Sequence, residues 1–417
     1  MTALTAPHGT AGNFKSWLRE EIDKRNRLSE TLFSEYAWRL SELCREMAER
    51  FQDGGKLLAF GRGAYATDAE HVSVEFVHPV IVGKKALPAL DISFYGDHAV
   101  KVLGKPQDML MTFASNQGDP VAQTLINDAK EKGLLTFSLQ GKGADLSLTL
   151  PDVDPFIAQE MIETMYHTLW ETVHVFFEHH PIKSHEAIGA GAASFLYSFL
   201  GSEEDHTTRE SAGPDEIPVK KSDRKMHDTL LEVAASIRMK AQDDAELRVK
   251  VAETMADEIA AAISLLQEAR AQSGRALIFG NGGSATDAND FAYDLVHPLM
   301  SLQPYPAISL SRESAVLSAL ANDIGPDVLF MRQIIAQATS QDVAIGISTS
   351  GGSKNVLMAF EEARKRGMRT IALLGYDGGE VVRRRLADIA IVVPSDYIPR
   401  IQEVQATIYH IIRQGVG

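Results

Sequence analysis

Residues 56–79, KLLAFGRGAYATDAEHVSVEFVHP, align without a gap on residues 275–298, RALIFGNGGSATDANDFAYDLVHP, at a shift of 219. Nine of the nineteen positions from Gly61 to Pro79 are identical: Gly61, Gly63, Ala66, Thr67, Asp68, Ala69, Val77, His78 and Pro79. Shared helix propensity does not produce that density, so the chain is an internal repeat and folds as two related units. The repeat resumes at a shift of 234, where Asp108–Thr112 stands opposite Asp342–Gly346. The first half therefore lacks about fifteen residues, around Ala321 to Ala338, a stretch that includes Asn322 and Asp323. Near the end of each half, Asp154–Trp170 matches the chain from Tyr397 onward. Gln159 falls on Gln402, Glu160 on Glu403, Tyr166 on Tyr409 and His167 on His410.

The spacing of Leu18, Ile22, Leu28, Leu32, Tyr36, Leu40, Leu43 and Met47 predicts two amphipathic helices over Phe14–Phe51, ended by Gly54-Gly55. Leu230–Gln272 supplies the corresponding lead-in to the second half. Gly201–Met226 is charged and nearly free of large apolar residues, which predicts a linker. The expected units are thus residues 1–200 and 227–417, joined by 201–226. His185–Leu200, apolar and rich in Ala and Gly, is expected to pack on the first unit or at the interface. The first dozen residues read as a loose tail. At 417 residues, 45% of them hydrophobic, the chain has material for two cores. Its net charge of −15, without a basic cluster, argues against nucleic acid as a partner. No apolar run is long enough to span a bilayer, and no signal peptide is visible. Cys44 is the single cysteine, which excludes an intrachain disulfide and a cysteine-based zinc site and suits a reducing cytoplasm.

Chemistry concentrates in two loops of the second half. Ala276–Phe279 reads as a buried strand, Gly280-Asn281-Gly282-Gly283 breaks it, and Ser284 opens a helix. Such a junction can cradle a phosphate, because glycines admit backbone N–H groups to an anion and a helix N-terminus favours negative charge. The plainer reading is a tight strand-to-helix turn. Val343–Ile347 is a second buried strand, followed by Ser348-Thr349-Ser350-Gly351-Gly352-Ser353 and a helix from Asn355. Loops that follow parallel strands gather at one sheet edge, so the two can close on one phosphate.

GNGGSATDA followed by GISTSGGSKNVLMAFEEARKRG resembles the sugar isomerase (SIS) domain and, within it, the phosphoheptose isomerase family. Arg400-Ile401-Gln402-Glu403-Val404, with His410 on the same helix, matches that family's last helix. The resemblance covers Leu230 to the C-terminus. It implies an α/β fold: two tandem SIS domains, each a parallel five-stranded sheet flanked by helices in a flavodoxin-like three-layer sandwich. The implied activity is aldose–ketose isomerisation of sedoheptulose 7-phosphate, without a nucleotide cofactor. In the family, a His and Glu on the first helix and a Gln and His on the last gather in the active site. There they can hold zinc, and the Glu and last His act as acid and base. Carried over, the set is His71, Glu75, Gln159 and His167, complete in the first half. Family members are tetramers of single SIS domains with sites between subunits, so a tandem chain is expected to rebuild that assembly as a homodimer.

The two halves diverge where this chemistry sits. In the first, Arg62, Ala64 and Tyr65 replace Asn281, Gly283 and Ser284, and Asp119 stands where Ser353 would bind a phosphate. Arg62 is either a solvated turn residue or a substitute anion clamp. In the second, Asp290 and Asp294 replace the first-helix His and Glu, while Gln402 and His410 remain. Asp294 is one methylene shorter than Glu, and Asp290 is a harder metal ligand than imidazole. His78 and His297, each before a proline, are expected to cap a helix end or hold a turn.

Two arrangements follow. In the first, the second half binds the sugar phosphate with Asn281, Gly282, Gly283, Ser284, Asp323, Ser348, Thr349, Ser350, Ser353 and Gln402. The first half then contributes His71, Glu75, Gln159 and His167 at a shared site. In the other, the second half catalyses alone through Asp294 and His410 beside a degenerate partner. A non-catalytic sugar-phosphate sensor or scaffold is the alternative of a different class.

Overall fold

The computed structural model describes residues 11–79, 84–115, 117–151, 153–179, 221–297 and 302–417. The first half runs α1 (Ala11–Gln52), β1 (Leu57–Phe60), α2 (Tyr65–Val77), β2 (Ala89–Asp91), α3 (Ala99–Leu103), β3 (Met109–Phe113), α4 (Pro120–Lys132), β4 (Leu135–Leu139), β5 (Leu146–Leu148) and α5 (Pro155–His179). The second runs α6 (Lys221–Thr254), α7 (Ala256–Ala271), β6 (Ala276–Phe279), α8 (Gly283–Val296), β7 (Ala307–Ser309), α9 (Ser314–Asp323), α10 (Leu329–Gln337), β8 (Val343–Ser348), α11 (Lys354–Lys365), β9 (Arg369–Gly375), α12 (Gly379–Arg383), β10 (Ile389–Val393) and α13 (Ile398–Val416). The insertion expected around Ala321–Ala338 is the end of α9, a 3₁₀ turn at Pro326–Val328, and α10.

Each half builds a five-stranded sheet in which every pairing is parallel, ordered β2-β1-β3-β4-β5 and β7-β6-β8-β9-β10. The central strands are continuous apolar runs because helices cover both faces. The expected flavodoxin-like order is present. It sets the ends of β6 and β8 side by side, Phe279 opposite Gly346, so the loops after them open at one edge.

Three expectations change. Phe14–Phe51 is not two helices but part of one continuous 42-residue helix. Its N-terminal part, with Phe14, Leu18 and Ile22, is buried in the second half's core, and its later part, from Leu32 to Phe51, in the first half's. α6 does the converse: Leu230, Val233, Ala234, Ile237 and Ala241 lie in the first core and Val251 in the second. Each long helix thus covers both cores, and the halves exchange helix ends. The predicted linker also stops early, since α6 begins at Lys221 and includes 221–226. The loose tail is likewise shorter than a dozen residues, α1 starting at Ala11. Residues 201–220 and the apolar stretch His185–Leu200 lie outside the described residues. Among the described residues, no helix is long and apolar enough to cross a membrane.

Candidate active site

The glycine turn after β6 is dictated by close approach. A Cβ on Gly280 would lie 2.2 Å from the Ser284 carbonyl oxygen, and Gly282 has φ +56°. The turn ends in α8, whose N-cap Gly282 offers no side-chain cap. Ser353, the N-cap of α11, makes no side-chain cap hydrogen bond either. Both helices therefore direct first-turn N–H groups, without side-chain partners, at the same sheet edge. Reciprocal amide bonds between Asn281 and Asn355, at 3.0 and 2.9 Å, join the two loops. Ser348 Oγ and Ser350 Oγ accept from the N–H groups of Gly351 and Gly352, which shapes the second loop. Thr349 braces it from the other side, its carbonyl accepting from Gly375 N at 3.0 Å. Asp323 is exposed at the end of α9 and accepts from its neighbour Asn322.

The first half closes its equivalent loop on itself. Asp119 caps α4, accepting from Val121 N and Ala122 N, and pairs with Arg62 at 3.6 Å. A carboxylate of the protein occupies the position where Ser353 leaves N–H groups available. Arg62 is thereby an intramolecular partner of that carboxylate.

Helices α2 and α8 pack against each other, as do α5 and α13, about a pseudo-two-fold axis. This crossing decides which side chains meet. His71 and His167, both buried, face each other with Nε2 atoms 3.4 Å apart. Gln402, from the second half, approaches His71 Nε2 at 3.4 Å. Glu75 Oε1 is 3.7 Å from the same nitrogen. A Cβ on Gly283 would lie 2.0 Å from Gln402 Nε2 and 2.7 Å from His71 Nε2, so the glycine turn abuts this cluster directly. Gln159 is not in it. The expected set of four is corrected here, because Gln159 crosses to the other side and donates to Asp290 Oδ1 at 2.8 Å. The exchange of glutamines follows from the axis: each last helix reaches the other half's first helix.

Second partners orient the histidines. Tyr166 Oη contacts His71 Nδ1 at 2.9 Å, and Glu403 Oε1 contacts His167 Nδ1 at 3.1 Å. Arg400 is ion-paired with Glu403. With both Nδ1 atoms engaged, the two Nε2 atoms face each other, a close pair that favours a shared cation. Glu75 Oε2 and Gln402 Oε1 are buried without a hydrogen-bond partner, and Glu163 brings a further carboxylate within 4.8 Å of the histidine nitrogens. Two imidazoles, carboxylates and an amide oxygen suit zinc. Burial lowers the His167 pKa, which favours the neutral ring.

Beside this cluster, on the axis, a cavity of about 10 Å³ is lined by Asp68, Glu163, Asp287 and Asp290 among others. Burial, reinforced by the neighbouring carboxylates, raises Asp68 and Glu163 well above their usual range. Burial likewise moves Asp287 up to about 7, against the pull of His71.

Across the axis stands the counterpart cluster: Asp290, Asp294 and His410 from the second half, with Gln159 and Ala64 from the first. Asp294 and His410 therefore face the altered first-half loop, not the intact loops of their own half. Burial and the charge of Asp290 move Asp294 up to about 7. His78 and His297 occupy the C-caps of α2 and α8, as their position before proline predicts.

A model of the SIS domain matches residues 242–375. The phosphoheptose isomerase of Citrifermentans bemidjiense is 43% identical over 179 residues, which is 42% of this chain and 92% of that protein. The chain belongs to the phosphoheptose isomerase family. The family member from Pelobacter propionicus is 50% identical over 148 residues, 35% of this chain and 77% of its own length. Relatives of this family therefore match less than half of the tandem chain. The C-terminal domain of glucosamine-fructose-6-phosphate aminotransferase from Francisella tularensis spans the tandem arrangement. It covers 96% of this chain and 95% of its own, with a TM-score of 0.57 and 10% identity, a likeness of fold alone. Tagatose-6-phosphate ketose/aldose isomerase from Escherichia coli is similar in the same sense, with a TM-score of 0.55, 12% identity and coverage of 100% and 95%.

Of the four residues carried over from the family, His71, Glu75 and His167 meet and Gln159 does not. Tyr166, Glu403, Glu163 and Asp287 were not assigned, although Tyr166/Tyr409 and Glu160/Glu403 are aligned pairs in the repeat, the signal that could have found them.

Proposed function

We propose that this chain interconverts the ketose and aldose forms of a sugar phosphate, sedoheptulose 7-phosphate to D-glycero-D-manno-heptose 7-phosphate, at one composite site drawn from both halves. The observation that carries the reading is the meeting of first-half His71, Glu75 and His167 with second-half Gly283 and Gln402. The phosphate binds the first turns of α8 and α11, with Ser284, Ser348, Thr349, Ser350 and Ser353 supplying hydroxyls. Binding there, away from the reacting carbons, fixes C1 and C2 against the acid–base groups.

Glu75, whose Oε2 has no competing hydrogen bond, moves the proton between C1 and C2. His167, neutral and held at Nδ1 by Glu403, exchanges a proton at Nε2 with the substrate oxygens as the enediolate forms and collapses. His71, Glu75 through Oε1, and Gln402 would hold zinc, with Glu163 in reach, which leaves Glu75 Oε2 and His167 Nε2 to the proton transfers. Bound zinc supplies positive charge to the oxygens on which negative charge develops. Asp294 and His410 have no role in this scheme, since the loop facing them is closed by Asp119 and Arg62.

The decisive experiment is turnover of sedoheptulose 7-phosphate by the full chain, with zinc and with chelator. Glu75→Gln is expected to cost on the order of 10²–10⁴ in kcat, the usual contribution of a general acid or base. Asp294→Asn is expected to stay within the wild-type order of magnitude. The reverse pattern overturns the shared site. No turnover by wild type while sugar phosphate still binds overturns the enzyme and favours a sensor.

A homodimer with four SIS units is the assembly we expect, in the cytoplasm. Phe94, Tyr95 and Val102 lie exposed on the first half, apolar surface of the kind an interface covers. Light scattering should give twice the chain mass of 45.6 kDa, and a monomer would refute the assembly.

A further inference from the structure

Asp290, Asp294 and His410 form one of two clusters among the described residues whose ligand atoms lie within 4.8 Å of one another. All three are buried, Asp294 and His410 completely. His410 Nδ1 is engaged by Glu160 Oε1 at 3.0 Å, and Glu160 is itself bound by Arg25 Nε at 2.9 Å. That leaves Nε2 as the ring nitrogen turned toward Asp294 Oδ2, at 3.3 Å, and Asp290 Oδ2, at 3.6 Å. A carboxylate holding the remote nitrogen of an imidazole is how proteins aim the other nitrogen at a metal. Asp290 is aimed likewise, by Tyr409 at 2.8 Å, Thr67 at 3.0 Å and Gln159 at 2.8 Å.

Independently of this aiming, both carboxylate oxygens of Asp294 are buried without a hydrogen bond. A buried carboxylate is costly unless a proton or a cation meets it, and His410 Nε2 faces only one of the two oxygens. The two separations from His410 Nε2 also fit, since ligands about 2.1 Å from one ion stand roughly 3.0–3.6 Å apart.

We propose that Asp290, Asp294 and His410 Nε2 form a second divalent-cation site, separate from the His71 centre. Its donors are two carboxylates and one imidazole, a harder set than two imidazoles with a carboxylate and an amide. Its preference for zinc over manganese is therefore weaker than that of the His71 centre. The ion neutralises the two carboxylates and ties α8 to α13. The site rests on residues outside the proposed isomerase machinery and stands whether or not that reading holds.

The test is Mn²⁺ titration of the metal-stripped full chain, followed by electron paramagnetic resonance. Wild type should bind two equivalents, Asp294→Asn one, and the His71→Gln, His167→Gln double variant one. Nitrogen coupling from a single imidazole should accompany the ion in the double variant. One equivalent in wild type that survives Asp294→Asn and vanishes in the double variant overturns the proposal. So does an ion in the double variant without imidazole coupling, or no bound Mn²⁺ at all. The double variant leaves the second cluster intact, so the proposal remains testable if Asp294→Asn fails to fold.

Discussion

Gly283 has no room for a side chain. An added Cβ would lie 2.0 Å from Gln402 Nε2 and 2.7 Å from His71 Nε2, displacing two groups of the cluster at once. Gly283→Ala should lower kcat on the order of a hundredfold, the usual penalty for about 1 Å of misplacement, with the melting temperature little changed. A wild-type kcat in this variant would place the chemistry elsewhere. Tyr166→Phe removes only the contact to His71 Nδ1. It should weaken zinc affinity about 10–100-fold in a chelator competition. At this scale the sequence was informative but incomplete. The family resemblance put Gln159 on one helix with His167, and Gln402 on one helix with His410. It could not say which glutamine meets His71, because that is decided by how two helices cross between halves, and spacing along a helix carries no information about a distant partner.

α1 illustrates the same point one level up. Its apolar spacing was legible, yet the stripe changes core midway, and the crossing is marked by buried polar residues, Glu21, Arg25 and Ser29. Arg25 pairs with Glu160 of α5 at 2.9 Å, both side chains fully buried. Burial opposes ionisation of Glu160, but Arg25 and His410 prevail and hold its carboxyl at about 2, against 4.5 in the unfolded chain. A depressed folded-state pKa contributes stability that is present above 4.5 and lost as pH falls toward 2. That contribution is on the order of 3 kcal/mol. Denaturation midpoints measured from pH 5 down to pH 3 should fall, and Glu160→Gln should flatten that slope while lowering stability at pH 5. An unchanged slope would assign acid sensitivity to other groups. Strands β6 and β8, in contrast, were readable from the residues alone, because each is a short apolar run ended by glycine or hydroxyl residues; the five-stranded parallel sheets came from the family resemblance.

For the whole molecule, the repeat announced two units and the structure interlocks them. Leu230, Val233, Ala234, Ile237 and Ala241 complete the first core, and Phe14, Leu18 and Ile22 complete the second. Residues 1–200 and 201–417 expressed apart should each be insoluble or molten by near-ultraviolet circular dichroism, and co-expression should restore a folded complex. A cooperative melt from either piece alone would contradict the interlock. Cys44 reports the same state: it is fully buried, and burial pushes its thiol far above the usual range. It should stay unreactive toward a thiol reagent until the chain unfolds.

The interlock also sets a schedule for synthesis. When α5 leaves the ribosome at His179, the first core still lacks the face that Leu230–Ala241 will supply, about sixty residues later in the chain. At roughly 5–20 residues per second, that face waits some 3–12 s. For those seconds the nascent first half is an uncovered apolar surface, and a client for whatever chaperone meets it first.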